Sequence, residues 1–210
     1  MSNSVGIIIL ASYGPTYLAN MLHVNIKTNG LLSGLPMFSR YVGGVLLSLV
    51  ADFLLARGLL GAGAVRRVFN SVSQVGPALA IVFLVPSGCS VFAVVSLLVV
   101  GMFLNGSIAS GHFANHMDLS PNFAGTLLGI SNTFSGGLVG ILTPIVVGAI
   151  FEAYGTGFAV WNWVFCGTAV VYVVGNLFYV LVLSGETQEW NHPEESLGTR
   201  SEEEKEMLRL

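Results

Sequence analysis

The feature that most restricts this chain is a polar corner set between two long apolar runs. From Asn105 to Asn132 the sequence reads NGSIASGHFANHMDLSPNFAGTLLGISN, with the corner at Asn115-His116-Met117-Asp118-Leu119-Ser120-Pro121. A residue before proline is pushed out of the helical region, so Ser120-Pro121 bends the chain. The flanks are long enough to cross a bilayer, which takes about 20 mostly apolar residues. The pattern predicts a membrane hairpin with its polar turn at the water interface. Composition points the same way: 9% of the 210 residues are charged and 53% are hydrophobic. Soluble domains carry roughly 25% charged residues. This chain has too few charges to cover a water-facing surface, which excludes an ordinary soluble domain and predicts an all-α, polytopic membrane protein.

Six spans are expected, at about 5–22, 30–55, 68–85, 91–113, 123–151 and 160–184. Gly14-Pro15 should kink the first, and kinks of this kind are tolerated in membrane helices that line a cavity. The first span begins almost at the first residue, with little polar sequence ahead of it, and the start MSNSVG lacks the basic region of a secretory signal. HVNIKTN (23–29) forms a loop between spans one and two, and Pro86-Ser87-Gly88 a tight turn after span three. The charges divide the chain into a body, 1–185, and a tail, 186–210. The body has five Lys/Arg and three Asp/Glu; the tail has three and eight. The acidic tail is a solvated segment in which Ser201 to Leu210 could form a short helix, with a capping box from Ser201 to Glu204. Loop 56–67 holds Arg57, Arg66 and Arg67, whereas the opposite side offers only Lys27 in its short loops. The positive-inside rule therefore places loop 56–67, the 114–122 corner, the chain start and the tail in the cytoplasm. Cys89 and Cys166 lie in different apolar segments, and neither a disulfide framework nor a metal spacing follows from them.

No Ser/His/Asp or Cys/His signature and no phosphate loop is present, so neither an enzyme nor a cofactor is expected, and no nucleic-acid partner. His112 and His116 share one helix face, a spacing that suits a metal pair, but a plain interfacial role is the simpler reading. Asp52 and Arg57 close span two, followed by Arg66 and Arg67. A carboxylate beside a basic loop can latch one helix end to its neighbours, or the charges can serve topology and solubility alone. Arg40 stands about ten residues into span two, near mid-membrane at about 1.5 Å per residue. An arginine there costs at least about 2.5–3.5 kcal/mol. No other span supplies an Asp or Glu at that depth. Two readings stand: an anionic solute is the counter-charge, or helix carbonyls or a residue outside the chain satisfy it. Span five carries small residues at four-residue spacing (Gly125, Gly129, Thr133, Gly137, beside Gly136, Gly140, Pro144, Gly148), which predicts close helix packing. The mid-span polar groups Asn105, Ser107, Ser110, Asn132 and Asn176 each need a partner in lipid. Asn105 and Asn132 could line one cavity from adjacent helices.

Several passages carry a resemblance: GLLSGLP (30–36), ADFL (51–54), VRRVFN (65–70), NHMDLSPNFAGTLLGISN (115–132) and SGETQEW (184–190). Together they resemble the C-terminal half of a major facilitator superfamily transporter, in the anion-transporter branch that contains sialin, the vesicular glutamate transporters and the sodium–phosphate cotransporters. The resemblance implies a twelve-helix fold of two six-helix halves, with substrate between them and alternating access. Here the six spans correspond to helices seven to twelve, and the N-terminal half is the missing partner. It further implies transport of an organic or inorganic anion (phosphate, sialate or glutamate-like), coupled to protons or sodium, in a plasma or lysosomal/vesicular membrane. Arg40 stands where relatives usually show an apolar residue, so its role rests on burial cost alone. The expected assignment is Arg40, Asn105 and Asn132 for the solute. Asp52, Arg57, Arg66, Arg67, His116 and Asp118 are expected at the cytoplasmic gate or hinge. The alternative is a transport-incompetent fragment or isoform that acts by associating with another membrane protein.

Overall fold

A computed structural model of the chain describes residues 1–85, 90–183, 185, 187, 188 and 191, with backbone alone at 26 and 27. The expected turn at Pro86-Ser87-Gly88, Cys89 and, apart from 187, 188 and 191, the tail with its capping box fall outside these residues. The described residues form six helical rods. The first is α1 (Ser2–Ile8), a π-helical stretch (Ile9–Tyr13) and α2 (Gly14–Asn20). The others are α3 (Ile26–Ala56), α4 (Ala62–Leu84), α5 (Val91–Asn105) running into α6 (His112–Leu119), α7 (Ala124–Asn132) running into α8 (Val139–Tyr154), and α9 (Phe158–Val182). Five rods are long and apolar enough to cross a membrane: Thr28–Ala56, Ala62–Leu84, Val91–Leu119, Pro121–Tyr154 and Phe158–Val182.

Local chemistry explains several boundaries that differ from the expected ones. Asn25 caps α3, its side chain accepting from the Thr28 amide at 3.0 Å, so the second rod begins inside the stretch expected as a loop. Gly61 precedes α4, which leaves only residues 57–61 between rods two and three and puts Arg66 and Arg67 on a helix. At Gly14-Pro15, where a kink is expected, the first rod changes from a π-helical stretch to α2, and Pro15 sits in the first turn of α2, where its missing N–H is least costly. The corner shrinks to Ser120, extended at φ −158° and ψ 91°, because α6 continues through Asn115-His116 to Leu119.

The apolar core is built from Tyr17, Leu18, Ile81, Met102, Trp161, Phe165 and Tyr172, each at most 1% exposed. Tyr17 stacks edge-on against Trp161 and Phe165 at 5.3 and 5.1 Å between centroids. α5 is the central helix and packs on both α3 and α4, while α4 also packs on α9. Glycines permit these approaches. A Cβ at Gly43 would run into the Phe103 carbonyl, one at Gly106 into the Gly44 amide, and one at Gly76 would lie 2.8 Å from Leu104. A side chain at Gly6 would collide with the Tyr172 ring, which holds α1 on α9.

The expected close packing of span five finds no neighbour among the described residues of this chain. Gly125, Gly129, Gly136, Gly137, Gly140 and Gly148 would each carry a Cβ into open space. The burial pattern agrees: 17% of the Pro121–Tyr154 window and 11% of the Thr28–Ala56 window are buried, against 50% of Val91–Leu119. The small-residue spacing permits a close neighbour without supplying one, and the packed glycine seam is the α3–α5–α4 one.

Candidate functional site

Two polar clusters stand out, one in mid-membrane and one at the end of the bundle that carries loop 57–61. The first is built on Arg40. α3 places it between Pro36 and the Gly43-Gly44 pair, on the face that meets α5. Its Nε donates to Asn105 Oδ1 at 2.8 Å. Asn105 is fully buried and donates from Nδ2 to the Ser73 carbonyl at 2.9 Å. One asparagine thus joins three helices, its oxygen facing the arginine and its amide facing backbone. Tyr172 of α9 lies within electrostatic reach of the guanidinium. No carboxylate pairs with Arg40, since the one ion pair among the described residues is Arg66–Asp118. Among the described residues the guanidinium's side-chain partner is thus a neutral amide and not a carboxylate.

Asn132 does not join this cluster. It is exposed and makes no side-chain hydrogen bond among the described residues, so the expected Asn105–Asn132 cavity is not formed. The other mid-span polar groups are satisfied across helices. Ser107 donates to the Phe69 carbonyl at 2.8 Å, Ser110 to Ser48 Oγ at 2.9 Å, and Asn70 to Asn176 Oδ1 at 3.0 Å.

The second cluster is a latch, but with a different carboxylate from the one expected. Asp52 is exposed and has no partner among the described residues, because its neighbour Ala51 takes the buried position against Val65 and Phe69. Arg57 is also exposed and lies over the Phe53 ring at 5.3 Å. Arg66 does the latching. Its Nε and Nη2 donate to the two Asp118 oxygens at 2.6 and 3.2 Å, and Nη1 donates to the Ser110 carbonyl at 2.9 Å. The pair is largely sheltered, with side chains 11% and 22% exposed. Arg67 donates to the Leu183 carbonyl at 3.2 Å, tying the start of α4 to the end of α9.

The chain after α9 then straps the corner. The Thr187 hydroxyl donates to the Asp118 carbonyl at 3.3 Å and the Gln188 amide to the Leu119 carbonyl at 2.9 Å. Asn191, 2% exposed, accepts from Ser120 Oγ at 2.6 Å and from the Asn122 amide at 3.0 Å. Gln188 and Asn191 fall where the sequence suggests only an acidic tail; their part was missed for want of any hydrophobic period. His116 turns its Nδ1 to the His112 carbonyl at 3.0 Å, and the two rings meet edge to face at 4.8 Å.

Six helical rods, five of them long and apolar enough to cross a membrane, with a cationic centre inside the bundle and a latched polar corner, define a multi-pass membrane protein, here an all-α half-bundle of the major facilitator kind. No family model matches the chain. Curated relatives do. It is 36% identical over 196 residues to a "Putative inorganic phosphate cotransporter" of Drosophila melanogaster, which covers 93% of this chain and 37% of that protein. To human sialin it is 35% identical (84% of this chain, 35% of that protein), and to mouse "Sodium-dependent phosphate transport protein 3" 34% identical (87% and 37%). The chain belongs to the anion and phosphate cotransporter branch of the major facilitator superfamily. It spans less than half the length of these relatives, which are transporters and not enzymes.

Proposed function

We propose that this chain is the C-terminal half of a secondary transporter for a small anion, of the phosphate, sialate or glutamate-like class. It works by alternating access with a second six-helix half and is driven by protons or sodium. The observation that carries this reading is Arg40: a half-buried cation in the middle of an apolar rod, held by a neutral asparagine and with no carboxylate partner among the described residues. A charge at that depth is costly and marks a substrate or ion path. An anionic solute entering beside Asn105 would supply the missing counter-charge. The latch Arg66–Asp118 and the strap from Thr187 to Asn191 would hold the cytoplasmic end of the half as one body while it rocks. That end bears loop 57–61, on the positive-inside rule.

The rods at 28–56 and 121–154 supply the walls for the second half, since their outer faces are the least covered by this chain. The same faces would serve the alternative, a half that binds another membrane protein without transporting. Fusion to the N-terminal half of the Drosophila relative, followed by uptake of labelled phosphate, sialate and glutamate into liposomes, separates the two. The fused protein takes up one of these anions, and Arg40→Leu lowers that uptake by at least about 100-fold, the loss expected when about 3 kcal/mol of charge pairing goes. Its yield stays unchanged, and its thermal stability falls by no more than the about 1–3 kcal/mol of the unpaired Asn105 Oδ1. Full uptake by the Arg40→Leu form would return the arginine to a structural role.

A further inference from the structure

α8 and α9 meet at one end and part below it. Next to residues 155–157 aromatic pairs join them, Phe151 with Trp161 at 4.8 Å and Tyr154 with Trp163 at 5.7 Å between centroids. Away from that end α1 packs on both helices and keeps them apart. The result is a groove of about 400 Å³ between α8 and α9, floored by Val5 and Ile9 of α1 and the π-helical stretch after it. Its deepest side chains, Ile9, Val147 and Val164, are at most 6% exposed. Its rims, Leu142, Val146, Trp163, Gly167 and Val171, are exposed. No charged side chain lines it. Its two hydroxyl groups belong to Thr143 and Thr168, and Thr168 donates to the Val164 carbonyl of its own helix at 2.7 Å.

The length and placement of the groove fit one occupant. Its α8 wall runs from Val139 to Ile150, about 16 Å at 1.5 Å per residue. The hydrocarbon core of a bilayer is about 30 Å thick, so the wall spans about one leaflet. Arg67 ties the end of α9 to the start of α4, which puts residues 155–157 at the end remote from loop 57–61. Tyr154 and Trp163 stand at that end, and such rings sit at headgroup level in a membrane. The groove therefore opens at that interface and closes near mid-membrane. On α8 the groove residues 139, 142, 143, 146, 147 and 150 share one stripe, and Gly140, Pro144 and Gly148 lie roughly 130° round the helix. A helix laid along those glycines leaves the groove open to lipid. We propose that the groove binds one acyl chain of a membrane phospholipid, from the leaflet remote from loop 57–61. Lipid tails are as apolar as the groove, so the site gains no hydrophobic transfer energy and selects by contact. Aliphatic walls on three sides give the chain dispersion contacts that an empty groove forfeits. The proposal needs only that the rods span a membrane, and stands apart from anion transport.

The test places the 210-residue chain in phosphatidylcholine vesicles with a rising fraction of the same lipid brominated at mid-chain, which quenches a tryptophan on contact. Trp163 is expected to be half-quenched at a brominated fraction about fivefold below that of random exchange, a preference equivalent to about 1 kcal/mol. Trp163→Phe removes this component and so assigns it. Gly167→Phe removes it as well, because a side chain there enters open space and fills the groove. Gly148→Phe, equally unobstructed on the other side of α8, keeps it. Quenching that follows the bulk fraction in the parent chain, or an excess that survives Gly167→Phe, overturns the site. A phosphatidylcholine with a mid-chain diazirine gives a second reading on the unaltered chain, independent of how any variant folds. It is expected to label Leu142, Val146 and Gly167 ahead of Val170 and Val174, which are exposed on α9 outside the groove. Equal labelling overturns the proposal. So does relief of the excess quenching by a small fraction of sterol, which assigns the groove to a sterol. Loss of the excess on fusion to the N-terminal half of the Drosophila relative assigns it to the second half and overturns the proposal too. None of these measurements requires transport, so their failure leaves the anion-transport reading standing.

Discussion

Arg66 spends its guanidinium entirely within the bundle: two bonds to Asp118 and one to the Ser110 carbonyl. Such a forked, sheltered pair differs from a surface ion pair, which contributes about 0.2–1 kcal/mol and is screened by salt. A double-mutant cycle with Arg66→Gln and Asp118→Asn, read by thermal unfolding in detergent, is expected to give a coupling of about 1–3 kcal/mol. A coupling below about 0.3 kcal/mol would reduce the latch to a solvent-exposed pair. Asp52→Asn in the same assay should be silent, because the exposed Asp52 has no partner among the described residues. The sequence puts both aspartates at the same membrane end, and nothing local says which one meets the arginine. The difference is one of helix rotation. Ala51 takes the packed position, so the adjacent Asp52 is turned off the seam, whereas Asp118 lies in the last turn of α6, which packs against α4. Arg40 was easier to read, because the cost of a buried charge depends on depth, and depth follows from position along an apolar run.

At the scale of elements, hydropathy and length located the spans, while the partner of each face stayed hidden. Small residues at four-residue spacing run along α7–α8, whereas the glycines of α3, α4 and α5 follow no such row in the sequence. In the fold the order is reversed. Gly43, Gly76, Gly101 and Gly106 sit where a Cβ would meet a neighbouring helix, and the α7–α8 glycines face open space. A small residue states only that close approach is allowed; which helix comes close is decided by connectivity and by what the facing surface presents. Alanine therefore has opposite effects at the two kinds of site. Gly43→Ala, which meets the Phe103 carbonyl, is expected to cost about 1–3 kcal/mol through overpacking of two backbones. Gly129→Ala is expected to be neutral or to stabilise by up to about 1 kcal/mol, since a helix interior prefers alanine. Thermal unfolding of both in one detergent decides the point, and equal losses at the two sites would mean that α7 packs as tightly as α3.

For the molecule as a whole, the uneven burial matters most. The rods at 62–84 and 91–119 hold the core, and those at 28–56 and 121–154 are largely uncovered. Lipid can cover Leu31, Phe38 and Leu49 of α3 or Ile141 and Ile145 of α8 without penalty, for these are ordinary lipid-facing side chains. A row of glycines gains nothing from lipid. It lowers helix propensity by about 1 kcal/mol at each position and is repaid only where another helix lies against it. On the function proposed above, a second half would be the natural occupant of that row, with a helix of it against the α7–α8 face. Gly137→Leu separates this from a lipid-facing row. Within this chain the new side chain enters open space, so the unfolding temperature of the isolated 210 residues should not move beyond what about 0.5 kcal/mol produces. Against a second half the same leucine fills the seam, and co-purification with the N-terminal half of the Drosophila relative should fall at least about tenfold, the effect of about 1.4 kcal/mol on an association constant. Unchanged co-purification would place the glycine row against lipid and move the inter-half contact to α3 alone. A lower unfolding temperature in the isolated chain would instead reveal a neighbour for α8 within this half.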